Sequence, residues 1–271
     1  MRLFLILFFL TATIFAKLNV VVSIPPQKYI LNNIAKDLVN STVVVKPGNS
    51  PHTYEPKPSQ MVAISKANIY FAIGVEFENI WLDRFKNQNS KLIIIKTQEG
   101  IKKIPVGNKD AKKLDPHIWL DPKNIEIIAK NMAKALIEQD PTNKAFYQSN
   151  LEEFLKEVNR VDKEIEKKLS GLRNRKFLVF HPSWGYFAKR YNLVQIAIEV
   201  EGKEPSPKEL IKIIKLAKKE KVRAIFTQPE FSQKSAKLIA KELGIKVVAI
   251  SPLEQNILQN LLKFTDALIG E

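Results

Sequence analysis

Cysteine is absent from all 271 residues. That excludes disulfides, thiolate metal ligands and thiol redox chemistry, and a lipoprotein anchored through cysteine is not expected. Histidine is nearly as rare, with three residues, His52, His117 and His181. Long apolar runs are missing too, except at the start. There Arg2 precedes the run Leu3 to Leu10, the small and polar Thr11-Ala12-Thr13 follow, and Ala16 is the expected last residue before cleavage. This is the layout of a secretory signal peptide, and it is shorter than a membrane span. Residues 1–16 are therefore expected to be removed, leaving a soluble chain outside the cytoplasm; a single N-terminal anchor is the alternative. Acidic residues are in deficit, with 28 against 43 lysines and arginines and a net charge of +15. Nucleic-acid binding does not follow. The lysines are interleaved with glutamates, as in Lys163-Glu164-Ile165-Glu166-Lys167-Lys168, which marks a solvated helix face.

What is present is an alternation of β and α patterns. Leu18 to Ile24, Ser41 to Lys46, Asn68 to Ile73 and Leu92 to Ile95 read as strands, with helices over Gln27 to Val39 and Ser59 to Lys66. Thr97 to Asp115 is polar, lysine-rich and aperiodic, so it reads as a long surface loop. Asp121-Pro122 is an N-cap followed by proline at the first helical position. Asp140-Pro141 repeats that signal and opens the longest helix, where Tyr147, Leu151, Phe154, Val158, Val161 and Ile165 recur every three or four residues. On the order of 28 residues at ~1.5 Å each span ~40 Å, more than one small lobe needs. Phe177 to Phe180 then restarts the alternation, and three further strands follow at Leu193 to Val200, Val222 to Thr227 and Ile245 to Ile250. The expected fold class is α/β: two lobes, each a roughly four-stranded parallel sheet flanked by helices, joined by one long helix. The divisions are 17–139 for the first lobe, 140–171 for the linking helix and 172–271 for the second lobe.

Ligands of such sheets bind beyond the carboxyl ends of the strands. All three histidines belong to segments on that side, each beside a proline. Three imidazoles occupy three corners of a tetrahedron, which suits zinc, whereas manganese and magnesium prefer oxygen donors. Taken singly, each histidine could equally be a core or surface residue.

The segments PGNSPHTYEPKPSQ, DPHIWLDP, FHPSWGYFAKRYNL and EVEGKEPSPKEL resemble the periplasmic zinc-binding proteins of bacterial ABC importers, the cluster A-I or cluster 9 solute-binding proteins. The likeness spans essentially the whole mature chain. It implies two lobes joined by a rigid helix, with Zn(II) as the transported ligand in the cleft between them. His52 and His117 would come from the first lobe and His181 from the second. Manganese-binding relatives typically carry glutamate where this chain has His181. The resemblance also implies a periplasmic location, an inner-membrane ABC permease as partner, a monomer, and no catalysis.

Two departures stand out. Many relatives place an aspartate ligand after the last strand, where this chain has Ser251. Many zinc-specific members carry a histidine-rich loop before the second ligand, where Gly100 to Leu114 holds five lysines and no histidine. Other polar candidates for a fourth ligand or an orienting role are Glu55, Asp115, Glu199 and Glu254, with Glu201 a further carboxylate near the cleft. Tyr54, Trp119 and Trp184 are candidates for its wall. The competing readings are the same carrier role for manganese or another divalent metal, a zinc hydrolase with an open water position, and a surface adhesin. A hydrolase needs a general base beside the metal, and no motif of the His-Glu-x-x-His kind is present.

Overall fold

The computed structural model describes residues 17–106, 110–199 and 203–270; the expected signal segment and Glu201 lie outside these, and the side chains of 110–112 are not considered. The first lobe contains β1 (Leu18–Val22), α1 (Pro25–Ala35), β2 (Val39–Val43), α2 (Pro58–Ser65), β3 (Ile69–Ala72), α3 (Glu78–Gln88) and β4 (Ile93–Lys96). Its strands form one parallel sheet in the order β2-β1-β3-β4. Central β1 and β3 are mostly apolar because both their faces are covered, as in Val20-Val21-Val22 and Ile69-Tyr70-Phe71-Ala72.

The second lobe contains β7 (Lys176–Val179), α6 (Gly185–Arg190), β8 (Val194–Ala197), α7 (Pro207–Lys219), β9 (Ala224–Thr227), α8 (Lys234–Leu243), β10 (Lys246–Ala249) and α9 (Ile257–Ile269). Its parallel sheet runs β10-β9-β7-β8. Numbered within its own lobe, each sheet has the order 2-1-3-4. The chain thus leaves the first strand toward one edge and then returns to build outward on the other side. The reversal falls between β1 and β3 in one lobe and between β7 and β9 in the other, and such points are where open α/β sheets bind ligands.

Between the lobes stand α4 (Pro122–Gln139) and α5 (Lys144–Leu169). The 26-residue α5 buries Tyr147, Phe154, Val158, Val161, Ile165 and Leu169 along one stripe. It packs on α4, on α1 of the first lobe and on α9 of the second. One apolar core consequently runs from Val22 and Ile128 through Val158 to Phe177, Trp184 and Phe264, crossing the boundary between lobes. A second, smaller core around Leu178, Ile225 and Ile239 belongs to the second lobe alone.

Asp162 of α5 fastens this arrangement. It accepts hydrogen bonds from Arg190 Nε at 2.7 Å and from the Tyr191 hydroxyl at 2.8 Å. Arg190 Nη2 completes a two-pronged pair, and Lys123 Nζ of α4 stands 3.8 Å away. Burial and the Asp162 carboxylate both push the Tyr191 phenol up, so it stays a donor.

Two expectations need correction, and one helix carried no sequence expectation. The helix α3 has too many charges to stand out, yet its Trp81, Leu82 and Phe85 share a face toward the core. The lysine-rich segment is not a structureless loop but carries the antiparallel hairpin β5 (Pro105–Val106) and β6 (Asp110–Leu114). Its neck is tied down, since Asp115 N donates to Ile104 O at 2.8 Å and Ile104 N donates to the Tyr186 hydroxyl at 3.3 Å. The sequence pattern reads as a last helix over Pro252 to Ile269; it begins instead at Ile257, capped by the Asn256 side chain.

Candidate metal centre

His52 lies in the breaker-rich loop after β2, and His181 comes two residues after β7. His117 is held between the neck of the hairpin and a buried 3-10 turn, Ile118–Leu120. That turn leads directly into α4, whose first turn is capped by Asp121 accepting from Lys123 N at 2.8 Å. The second lobe grips the same segment. Tyr186 donates its hydroxyl to Asp115 O at 3.1 Å, and Trp119 Nε1 donates to Pro252 O at 2.7 Å.

These constraints bring the three imidazoles together. Their ring centroids are 5.4 Å (His52–His117), 4.8 Å (His52–His181) and 5.1 Å (His117–His181) apart. One nitrogen from each lies within 4.8 Å of the others. His117 and His181 are buried, and His52 is partly exposed.

Each ring is oriented in the same way. His52 Nδ1 stands 2.8 Å from Glu76 Oε2, His117 Nδ1 2.7 Å from Asp115 Oδ1, and His181 Nδ1 2.9 Å from Glu199 Oε1. A carboxylate at Nδ1 keeps the proton there and turns the Nε2 lone pair inward, the arrangement that fixes tautomer and raises ligand basicity at metal sites. Asp115 Oδ1 is further pinned by accepting from His117 N at 2.9 Å. Burial pulls the His181 imidazole down to about 4, against the opposing pull of Glu199, so this ring is neutral near pH 7. Burial alone would raise Glu76, but the hydrogen bond and charge of His52 hold it down to about 2.

The donors fit a metal ion on their own chemistry. His52 Nε2 and His181 Nε2 face each other at 3.0 Å. With both Nδ1 atoms carrying their protons, two lone pairs meet at that distance, which repels unless a cation stands between them. Nitrogens bound to tetrahedral zinc at about 2.0–2.1 Å are about 3.3 Å apart, close to the observed separation.

The surrounding cavity has a volume of about 10 Å³, room for a single water-sized body. Trp119, Phe231, Pro252 and Leu253 supply its apolar wall, with Glu230 and Ser50 as polar neighbours. Phe231 stacks on His181 with centroids 4.6 Å apart and an interplanar angle of 20°.

Asp115 and Glu199 hold imidazoles, as already described. Glu55 and Glu254 are exposed and bond to no imidazole, because their backbone positions direct them to solvent. Ser251 gives its hydroxyl proton to Glu230 Oε1 at 2.6 Å. Tyr54 and Trp184 are core residues rather than cleft wall. Tyr54 exchanges hydrogen bonds with Gln60 and packs edge-on against Phe77, while Trp184 lies flat on Phe264 at 3.6 Å. A flat ring beside a histidine in sequence was drawn away by a partner eighty residues further on.

Sequence reasoning missed Glu76, Glu230 and Phe231. A signal was available, because Glu76 and Glu230 each follow a strand end by a few residues, on the same side as the histidines.

A family model described as the zinc-uptake complex component A, periplasmic (ZnuA), matches residues 20–267. The manganese ABC transporter substrate-binding lipoprotein scaA of Streptococcus gordonii is 32% identical over 251 residues, covering 86% of this chain and 79% of its own. A crystal structure of ZnuA is 43% identical with a TM-score of 0.90, covering 94% of this chain and 98% of its own. A zinc-bound deletion mutant of ZnuA superposes with a TM-score of 0.89 at 43% identity, covering 94% and 97%.

Proposed function

The chain belongs to the zinc-uptake complex component A family, and from that membership we propose that His52, His117 and His181 capture Zn(II) between its lobes for an ABC permease. The metal-binding, substrate-binding role within an importer follows from the family and its relatives. The choice of zinc, the three ligands, the periplasmic site of action and a monomeric carrier are this reading.

The observation that carries it is the convergence of one nitrogen from each of three imidazoles, each ring backed by a carboxylate on its Nδ1. An all-nitrogen set favours zinc over manganese, which binds preferentially through oxygen. The manganese transporter name of a relative keeps manganese as the competing cargo. Zinc supplies no chemistry here. The protein shields the site with Trp119 and Phe231 and orients three lone pairs.

A hydrolytic reading is less well supported. Glu76, Asp115 and Glu199 are each engaged with an imidazole, and the remaining carboxylate at the cavity, Glu230, has one oxygen held by Ser251. No helix among the described residues is long and apolar enough to cross a membrane.

Calorimetry on metal-free protein tests the proposal. One Zn(II) per chain is expected, and His117→Ala should weaken it by about a hundredfold or more, given that losing only an orienting group costs 10–100-fold. Absence of zinc binding, or displacement of zinc by an equal concentration of Mn(II), sinks the assignment.

A further inference from the structure

Three imidazoles leave one tetrahedral position open to a further donor. The cavity around them holds Ser50, Pro51, Trp119, Glu230, Phe231, Pro252 and Leu253. Among these described residues Glu230 alone is anionic. It is carried by the loop after β9, at the sheet's reversal point beside β7, which carries His181. One of its oxygens is engaged, since Oε1 accepts from Ser251 Oγ at 2.6 Å. The other, Oε2, is buried and has no hydrogen-bond partner.

A buried carboxylate oxygen without a donor is costly, and a native structure keeps one only where something else meets it. Ser251 is itself well fixed. Its Oγ accepts from Leu253 N at 3.1 Å, and its carbonyl accepts from Asn260 Nδ2 at 2.8 Å. With its proton given to Glu230, the Ser251 hydroxyl is a poor ligand but a good anchor. Neighbouring Phe231 is stacked on His181, so the loop bearing Glu230 is registered to a ligand ring.

We propose that Glu230, steered by Ser251, supplies the fourth, carboxylate donor to the bound cation. In the geometry described, Glu230 stands in the wall of the cavity and outside the three-histidine cluster. This assignment requires Oε2 to turn toward the imidazole nitrogens while Oε1 keeps its Ser251 partner. The carboxylate then offsets part of the cation's charge and closes the position that would otherwise hold water. The proposal rests on the cleft being a zinc site, and it extends that reading to a residue from the second lobe other than His181. It also makes the second lobe contribute as many donors as the first, two from each side.

The test is a crystal structure of the zinc-loaded protein phased at the zinc edge, together with zinc affinities of wild type, Glu230→Gln and Ser251→Ala. Support requires a Glu230 oxygen within about 2.2 Å of zinc. It also requires at least about a tenfold loss of affinity in Glu230→Gln at unchanged one-to-one stoichiometry, with a smaller loss in Ser251→Ala. Zinc bound by three histidines and a water, with Glu230 still on Ser251 and Glu230→Gln within twofold of wild type, overturns this proposal and leaves the carrier intact. Wild-type protein that takes up no zinc overturns both. The wild-type crystal structure decides the matter even if a variant folds poorly.

Discussion

Gly185 is the first residue of α6 in the second lobe, and its backbone does not require glycine. Helix propensity alone says that Gly185→Ala should stabilise by up to about 1 kcal/mol. The structure says the opposite. A Cβ at this position would collide with Asp115 Oδ2 and approach Gln195 Nε2 at 3.2 Å. The carboxylate must withdraw by roughly 1 Å to regain the about 3.3 Å of an ordinary C···O contact. Asp115 has little freedom to do so, being 1% exposed with Oδ1 bound to both the backbone N and Nδ1 of His117. Either the lobes separate slightly at this point or the His117 ring turns. Overpacking of this kind costs about 1–3 kcal/mol. Disturbing an orienting carboxylate costs about 10–100-fold in metal affinity. Gly185→Ala should therefore lower both the melting temperature and the zinc affinity, read by calorimetry or chelator competition. In an Asp115→Ala background the added methyl should be harmless or stabilising, so the two changes should couple strongly. A single Gly185→Ala variant that is more stable than wild type, with unchanged zinc affinity, refutes the reasoning.

Two further outcomes follow from groups described above. Asp162→Ala strips a mostly buried Arg190 of its two-pronged partner, with Asp121 at 3.6 Å the nearest substitute; a loss of about 3 kcal/mol is expected, seen as a lower urea midpoint. In metal-free protein, His181 has its folded pKa pulled down to about 4 from 6.5. The unfolded chain binds the extra proton first, so the stability this residue contributes is complete above about pH 6.5 and drains away as pH falls toward 4. At about 1.4 kcal/mol per tenfold in proton affinity this amounts to roughly 3 kcal/mol. Denaturation profiles of wild type and His181→Gln should therefore diverge across that window, and parallel profiles would contradict it.

Much of the fold was legible in the chain because each lobe writes its central strands as largely buried apolar runs. The stripe Tyr147, Phe154, Val158, Val161 and Ile165 likewise announced α5, and the observed buried face is that stripe. Less legible was α3, whose charges mask a face made by only three apolar residues. The histidines stood out through their scarcity and their positions past strand ends. Their carboxylate partners were partly visible: Asp115 sits two residues from His117, but Glu76 is 24 positions after His52 and resembles any surface glutamate. What joins Glu76 to His52, and Glu230 to Ser251, is the convergence of loops from separate strands, which no local pattern encodes. Trp184 shows the reverse error. Adjacency to a candidate ligand suggested a cleft role, while a ring far along the chain claimed its face.

The apolar core that crosses from the first lobe through α5 to Phe177 and Phe264 bears on how this molecule could be put to use. A reporter built by attaching a fluorophore to each lobe relies on a hinge, and here a hinge would have to tear open a continuous packed interior. Such a pair of dyes should register almost nothing when the ion arrives. A single environment-sensitive dye on the loop bearing His52, or beside Glu230, would sit next to the ion itself. As a sensor scaffold, this protein asks to be read at its loops rather than across its lobes.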